Sequence, residues 1–208
     1  MVRKVLLVCG ILSSLLYVGT DILAAMRYEA YSYTSQMISE LMAIGAPTRP
    51  FMVAPMSVYN VLVIAFGIGV WGAAGRKRRL RFTGILLVAY GAVSAVGLFS
   101  PMHLRGAELS ATDTMHIIVT SVIVLLTLLY IGFGAGAVGK WFRLYSIGTI
   151  LALIVFGTWA GLQGPRVAAG LPTPWMGAME RVNVYSSMLW VLVLAVVLLR
   201  AKKEGSPE

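Results

Sequence analysis

Six stretches of the chain are apolar without alternation, at about 5–26, 51–74, 82–101, 114–138, 144–163 and 182–199. Each reaches the ~20 residues a helix needs to cross ~30 Å of hydrocarbon. A backbone in lipid has no water to bond, so a spanning segment is either a helix or a strand of a closed barrel, and barrel strands alternate apolar with polar positions. The pattern therefore predicts six transmembrane helices. The first run follows Met1-Val2-Arg3-Lys4, as a secretory signal would. It stays apolar through Ile22, Leu23 and Met26 without a small-x-small cleavage site, and is read as the first spanning helix.

Composition agrees: 59% of the 208 residues are hydrophobic and 12% charged, about half the usual charged share. Six spans with short connections use up the chain, so residues 1–208 read as a single transmembrane domain. The net charge of +9 resolves into a topology signal. With both termini cytoplasmic, 12 of the 17 cations lie inside, including Arg3, Lys4, the cluster Arg76-Lys77-Arg78-Arg79 with Arg81, Lys140, Arg143, Arg200, Lys202 and Lys203. Outside remain Arg27, Arg49, Arg105, Arg166 and Arg181, together with six of the eight acids. The Arg76 to Arg81 cluster is thus read as a cytoplasmic loop against anionic lipid, and no nucleic-acid partner is expected. The expected partners are membrane lipids.

The outer loops are the longer ones. Within residues 27–50, Met37, Leu41 and Ile44 share one helical face, which predicts a short amphipathic helix, capped at Thr34 or Ser35 and ended by Gly45 and Pro47. Pro165, Pro172 and Pro174 stiffen the third outer loop. The single cysteine, Cys9, excludes an internal disulfide and a thiolate metal cluster.

From Ile38 to Pro50 (ISELMAIGAPTRP) the chain resembles a family of prokaryotic membrane proteins catalogued as domain of unknown function 998. The resemblance extends to Asp21, to Asp113-Thr114-Met115-His116 and to the segment from Gly177 to Val182. It implies an integral membrane protein of six or seven spans in a prokaryotic plasma membrane, and no established activity.

The chemistry must therefore come from the residues. Asp21 lies roughly 24 Å along a helix that begins near Val5, in the outer part of the bilayer, where a carboxylate needs a cation or a proton. Arg49, Arg181 and His116 start helices on the same side. Asp113 and His116 are three apart on one helical face, and His103 enters the same loop. Asp21, His103 and His116 are accordingly candidate ligands of a Zn²⁺ ion with a position left for water. Ser39 and Glu40 are consecutive, so one of them points inward. Ser39 lacks the Gly-x-Ser-x-Gly frame of a nucleophile.

The expectation is an all-α, polytopic six-helix bundle with an outer polar pocket. Asp21, Ser39, Glu40, Arg49, Glu180 and Arg181 bind a lipid headgroup or small anion there, or pin the outer loops as a salt-bridge network in an accessory or scaffold protein. The alternative is a metal-assisted or acid-base hydrolase of a lipid or amphiphile with Glu40 or Asp113 handling protons, and a third reading is a small-molecule transporter.

Overall fold

The computed structural model describes residues 1–201, and Lys202 and Lys203 of the cation pattern lie outside them. Six long helices are apolar enough to span a membrane: α1 (Val2–Met26), α2 (Arg49–Ala73), α3 (Arg78–Gly97), α4 (Ala111–Val138), α5 (Lys140–Gly161) and α7 (Met176–Arg200). A single 3₁₀ turn, Ile38–Met42, occupies the first outer loop, and a five-residue helix α6, Gly164–Ala168, the third. Each long helix packs on its neighbours in the order α1, α2, α3, α4, α5, α7, and α7 returns to α1, so the spans form a closed ring.

The spans begin earlier than hydropathy suggests. α3 starts at Arg78 rather than near 82, because a helix continues into the headgroup zone where arginines are at home. It stops at Gly97 rather than 101, since Pro101 disfavours helical backbone at Ser100. α2 opens with Pro50 in its first turn, where the missing N–H costs nothing. Pro165 does the same for α6. α4 and α5 are joined by Gly139 alone, at φ 151°, ψ 176°, a backbone conformation essentially confined to glycine.

Aromatic side chains fill the ring. Tyr17 meets Tyr59 edge-on at 5.1 Å, and the Tyr59 and Tyr90 hydroxyls are 2.9 Å apart. Tyr90 meets Tyr130 at 5.7 Å, and Tyr130 meets Trp190 at 5.5 Å. Trp190, fully buried, donates its indole N–H to Ser146 at 2.8 Å, which satisfies a polar edge that hydrocarbon could not. Around this core, Leu12, Leu15, Val61, Ile85, Ile118, Leu125, Leu151 and Val155 face outward. So much exposed aliphatic surface on every long helix is tolerated only where the surroundings are themselves apolar.

α2 and α3 approach through glycine. A Cβ on Gly67 would lie 2.8 Å from the Gly84 carbonyl oxygen, and one on Gly84 would lie 2.7 Å from the Gly67 carbonyl and from the Trp71 amide. Backbone on both sides cannot yield, so Gly84→Ala is expected to destabilise the bundle by about 1–3 kcal/mol. Gly148→Ala on α5, where a Cβ meets open space, is expected to be neutral or stabilising by up to ~1 kcal/mol. Unfolding midpoints of the two variants in detergent micelles check the contrast.

Candidate functional site

The rim opposite the lysines is held together by charge. Asp21, near the end of α1, is 0% exposed, and Arg181, in the second turn of α7, is 3% exposed. Arg181 donates from Nε to Oδ2 and from Nη2 to Oδ1, both at 2.9 Å, and the Tyr185 hydroxyl also donates to Oδ2. The remaining guanidinium donors reach the first outer loop: Nη1 to the Tyr33 carbonyl at 2.6 Å, Nη2 to the Tyr31 hydroxyl at 2.7 Å. The guanidinium also lies 3.6 Å over the Tyr33 ring. Burial pushes the Tyr31 phenol up from its ordinary pKa, so it stays a donor, its one proton shared between the Gln36 and Met37 carbonyls at 2.9 and 2.8 Å. Two charges that would each be costly in hydrocarbon are paired and fully hydrogen-bonded.

These bonds explain why residues 34–44 do not form the expected amphipathic helix. The carbonyls of Gln36 and Met37, which a helix capped at Thr34 or Ser35 would need, are engaged by Arg181 and Tyr31. Only the 3₁₀ turn remains, and it is tucked in: Ile38, Glu40 and Leu41 are buried. Of the consecutive pair, Glu40 is the one that points inward, at 0% exposure, while Ser39 is half-buried.

Glu40 does not pair with Arg181 or Arg49. Its carboxylate accepts from Arg105 of the second outer loop, Nε at 2.8 Å and Nη2 at 2.6 Å, and from the Met37 amide at 2.9 Å. Glu40 in turn holds the Arg105 guanidinium above its already high ordinary pKa. Arg105 Nη1 donates to Thr173 Oγ1 at 3.2 Å, and Thr173 donates to the Ser35 carbonyl at 2.7 Å, so all three outer loops are joined. Glu180 accepts the Ile38 amide at 2.6 Å rather than a cation. Arg49, at the start of α2, reaches only the Met42 carbonyl, at 3.4 Å. Between the first and third loops, with Arg105 of the second in its lining, opens a cleft of ≈ 390 Å³ lined also by Ala30, Ser32, Ser35, Gln36, Pro172, Thr173 and Pro174.

A second cluster lies at the start of α4. Ser110 and Asp113 cap the helix reciprocally, the Asp113 carboxylate accepting the Ser110 amide at 2.9 Å. The same carboxylate accepts the His103 amide at 2.7 Å and lies 2.8 Å from His103 Nδ1. The His103 side chain is 33% exposed. His116 turns away, its Nδ1 3.1 Å from the Ser100 carbonyl.

The candidate zinc ligands are therefore not assembled as a set. Asp21 is committed to Arg181, His103 to Asp113 and His116 to a backbone carbonyl, and among the described residues no group of three His, Cys, Asp or Glu side chains is placed to hold a metal ion. Sequence reasoning also passed over Arg105, Tyr31, Tyr33, Tyr185, Ser110 and Thr173. For Arg105 one signal was available: it is one of only five arginines on a side that carries six acids. Ser110 also left one, since Ser110-x-x-Asp113 before an apolar run is a capping pattern, whereas Tyr33, Tyr185 and Thr173 left none because their roles depend on contacts far apart in the chain.

Fold and rim together define a multi-pass helical membrane protein whose outer loops are locked over one end of the bundle by buried ion pairs. The model of a family described as protein of unknown function (DUF998) matches residues 11–197, and the chain belongs to that family. No curated protein and no solved structure matches it.

Removing one partner of the Asp21–Arg181 pair strands the other charge, so Asp21→Asn and Arg181→Gln are each expected to cost about 3–5 kcal/mol. Tyr185→Phe removes one donor among three and is expected to cost about 1–3 kcal/mol. The double variant Asp21→Asn/Arg181→Gln should cost less than the sum of the two singles, a coupling that a double-mutant cycle of unfolding free energies measures.

Proposed function

We propose that this is a binding or accessory protein of a prokaryotic plasma membrane, and that its outer cleft holds a polar lipid headgroup. The observation that carries this reading is Arg105 in the lining of an open cleft, beside Ser32, Ser35, Gln36 and Thr173. Arg105 is already neutralised by Glu40, so the cleft offers oriented donors and acceptors more than net charge. That favours a headgroup with several hydroxyl or ester oxygens over a small free anion. Asp21, Arg181, Glu40 and Glu180 support the reading indirectly, since they hold the loops that wall the cleft, while Ser39 and Arg49 stand apart from its lining. The lysine distribution supports an orientation with this rim outside. The aromatic filling of the ring favours binding over transport.

Ala30 is exposed at the cleft and takes no part in the ion pairs, so Ala30→Trp fills the opening without touching the network. Mass spectrometry of lipids retained by the purified protein is expected to show a polar lipid that the Ala30→Trp variant loses. Equal lipid content in both proteins counts against the cleft.

One observation favours the alternative of an acid-base hydrolase of an amphiphile. Asp113 orients His103 through Nδ1, and among the described residues Nε2 makes no hydrogen bond, the arrangement of a general base. Glu40 is sealed and cannot exchange a proton with a substrate, so in this reading Asp113 is a positioning residue and His103 the catalytic one. Hydrolysis of a short-chain carboxylic or phosphate ester is then expected to fall about 100-fold in His103→Gln. No hydrolysis by the wild-type protein removes the alternative.

A further inference from the structure

On the lysine-rich rim, at the opposite end of the bundle from the cleft, a second cavity of ≈ 360 Å³ opens between α3 and α4, lined by Arg79, Leu128, Leu129, Gly132 and Phe133. Arg79 stands in the first turn of α3, and its guanidinium lies against α4 at Gly136, close enough that a Cβ there would collide with Nη1. At Gly132, one turn deeper, a Cβ would meet open space. From Phe133 to Leu128 the lining runs about 7.5 Å along α4 at ~1.5 Å per residue, with Phe82 and Phe133 in contact at 5.4 Å beside it. The cavity is thus cationic at the helix ends and apolar below.

No carboxylate pairs with Arg79 among the described residues, and on this rim they include no acid at all: all six described acids belong to the other rim. Arg76, Lys77, Arg78 and Arg81 add to the field at the mouth. A guanidinium at headgroup depth above an aliphatic groove is complementary to one kind of molecule, a phosphodiester with an acyl chain attached. We infer that the α3/α4 groove is a binding site for an anionic phospholipid, its phosphate on Arg79 and one acyl chain along Gly132 and Leu128.

The test uses the full-length protein in detergent micelles with dioleoyl phosphatidylglycerol, dioleoyl phosphatidylcholine or inorganic phosphate added, read by native mass spectrometry and by the shift of the unfolding temperature. The wild-type protein is expected to retain phosphatidylglycerol over phosphatidylcholine. Arg79→Gln should lower that retention about fivefold, roughly the factor one interfacial cation is worth. Gly132→Leu, which fills the groove without changing charge, should lower it comparably, and Leu129→Trp serves the same purpose should the first variant not fold. Arg78→Gln, equal in charge to Arg79→Gln but outside the groove lining, should change retention less than twofold. Equal losses in Arg78→Gln and Arg79→Gln would mean a diffuse surface field and overturn the site. Unchanged retention in both groove-filling variants, no preference for phosphatidylglycerol, or stabilisation by inorganic phosphate as large as by the lipid would overturn it as well.

Discussion

A carboxylate and a guanidinium at membrane depth cannot be left alone, and the pairing of Asp21 with Arg181 is the constraint on which the rest of this rim depends. The pair joins the end of α1 to the start of α7, the first and last spans, and so closes the ring of helices electrostatically at the same seam where packing closes it. Arg181 carries more donors than Asp21 can accept. Its surplus is satisfied by carbonyls of the first outer loop, which is drawn down over the bundle as a consequence. Glu40 then arrives in a buried position and requires a cation of its own, which Arg105 supplies from the second loop. Each buried charge thus recruits the next segment, until Thr173 brings in the third loop.

This sequence of requirements separates architecture from chemistry. The charged groups that are most buried, Asp21, Arg181 and Glu40, are also the most completely hydrogen-bonded, and groups so engaged build walls rather than react. Capacity to meet a ligand lies at their margins: the edge of Arg105 that faces the cleft, and the half-exposed imidazole of His103. The lysine-rich rim works by the opposite logic. Its arginines have no acids to satisfy them among the described residues; Arg81 donates to the Gly75 carbonyl, while Arg79 is left to the solvent or the bilayer and differs from its neighbours in standing above an apolar groove.

Much of this was legible along the chain because hydrocarbon is an undemanding but strict solvent. Uninterrupted apolar runs had to be helices, and the helix ends lie within about six residues of theirs; at α3, Arg78 and Arg79 extend the helix into the headgroup zone that a hydropathy reading assigns to a loop. That an acid at Asp21 needs a cation, and that Arg181 stood on the right side to provide one, also followed from depth and topology. The expected amphipathic helix failed for a reason no local pattern carries. The periodicity of Met37, Leu41 and Ile44 was real, but Arg181, reaching in from α7, and the nearby Tyr31 hydroxyl claimed the carbonyls that helical hydrogen bonds would have used.

What the amino-acid sequence determined by itself is the solvent, the number of spans and which polar groups share a rim, because these depend on composition and on the order of segments along the chain. What only the tertiary structure decided is which acid meets which base. Glu40 pairs with Arg105 across 65 residues instead of with Arg49 or Arg181, and Asp113 takes His103 while His116 turns to a carbonyl. On a rim with five arginines and six acids many pairings satisfy charge, and the choice among them rests on hydrogen-bond directions that exist only once the helices have packed.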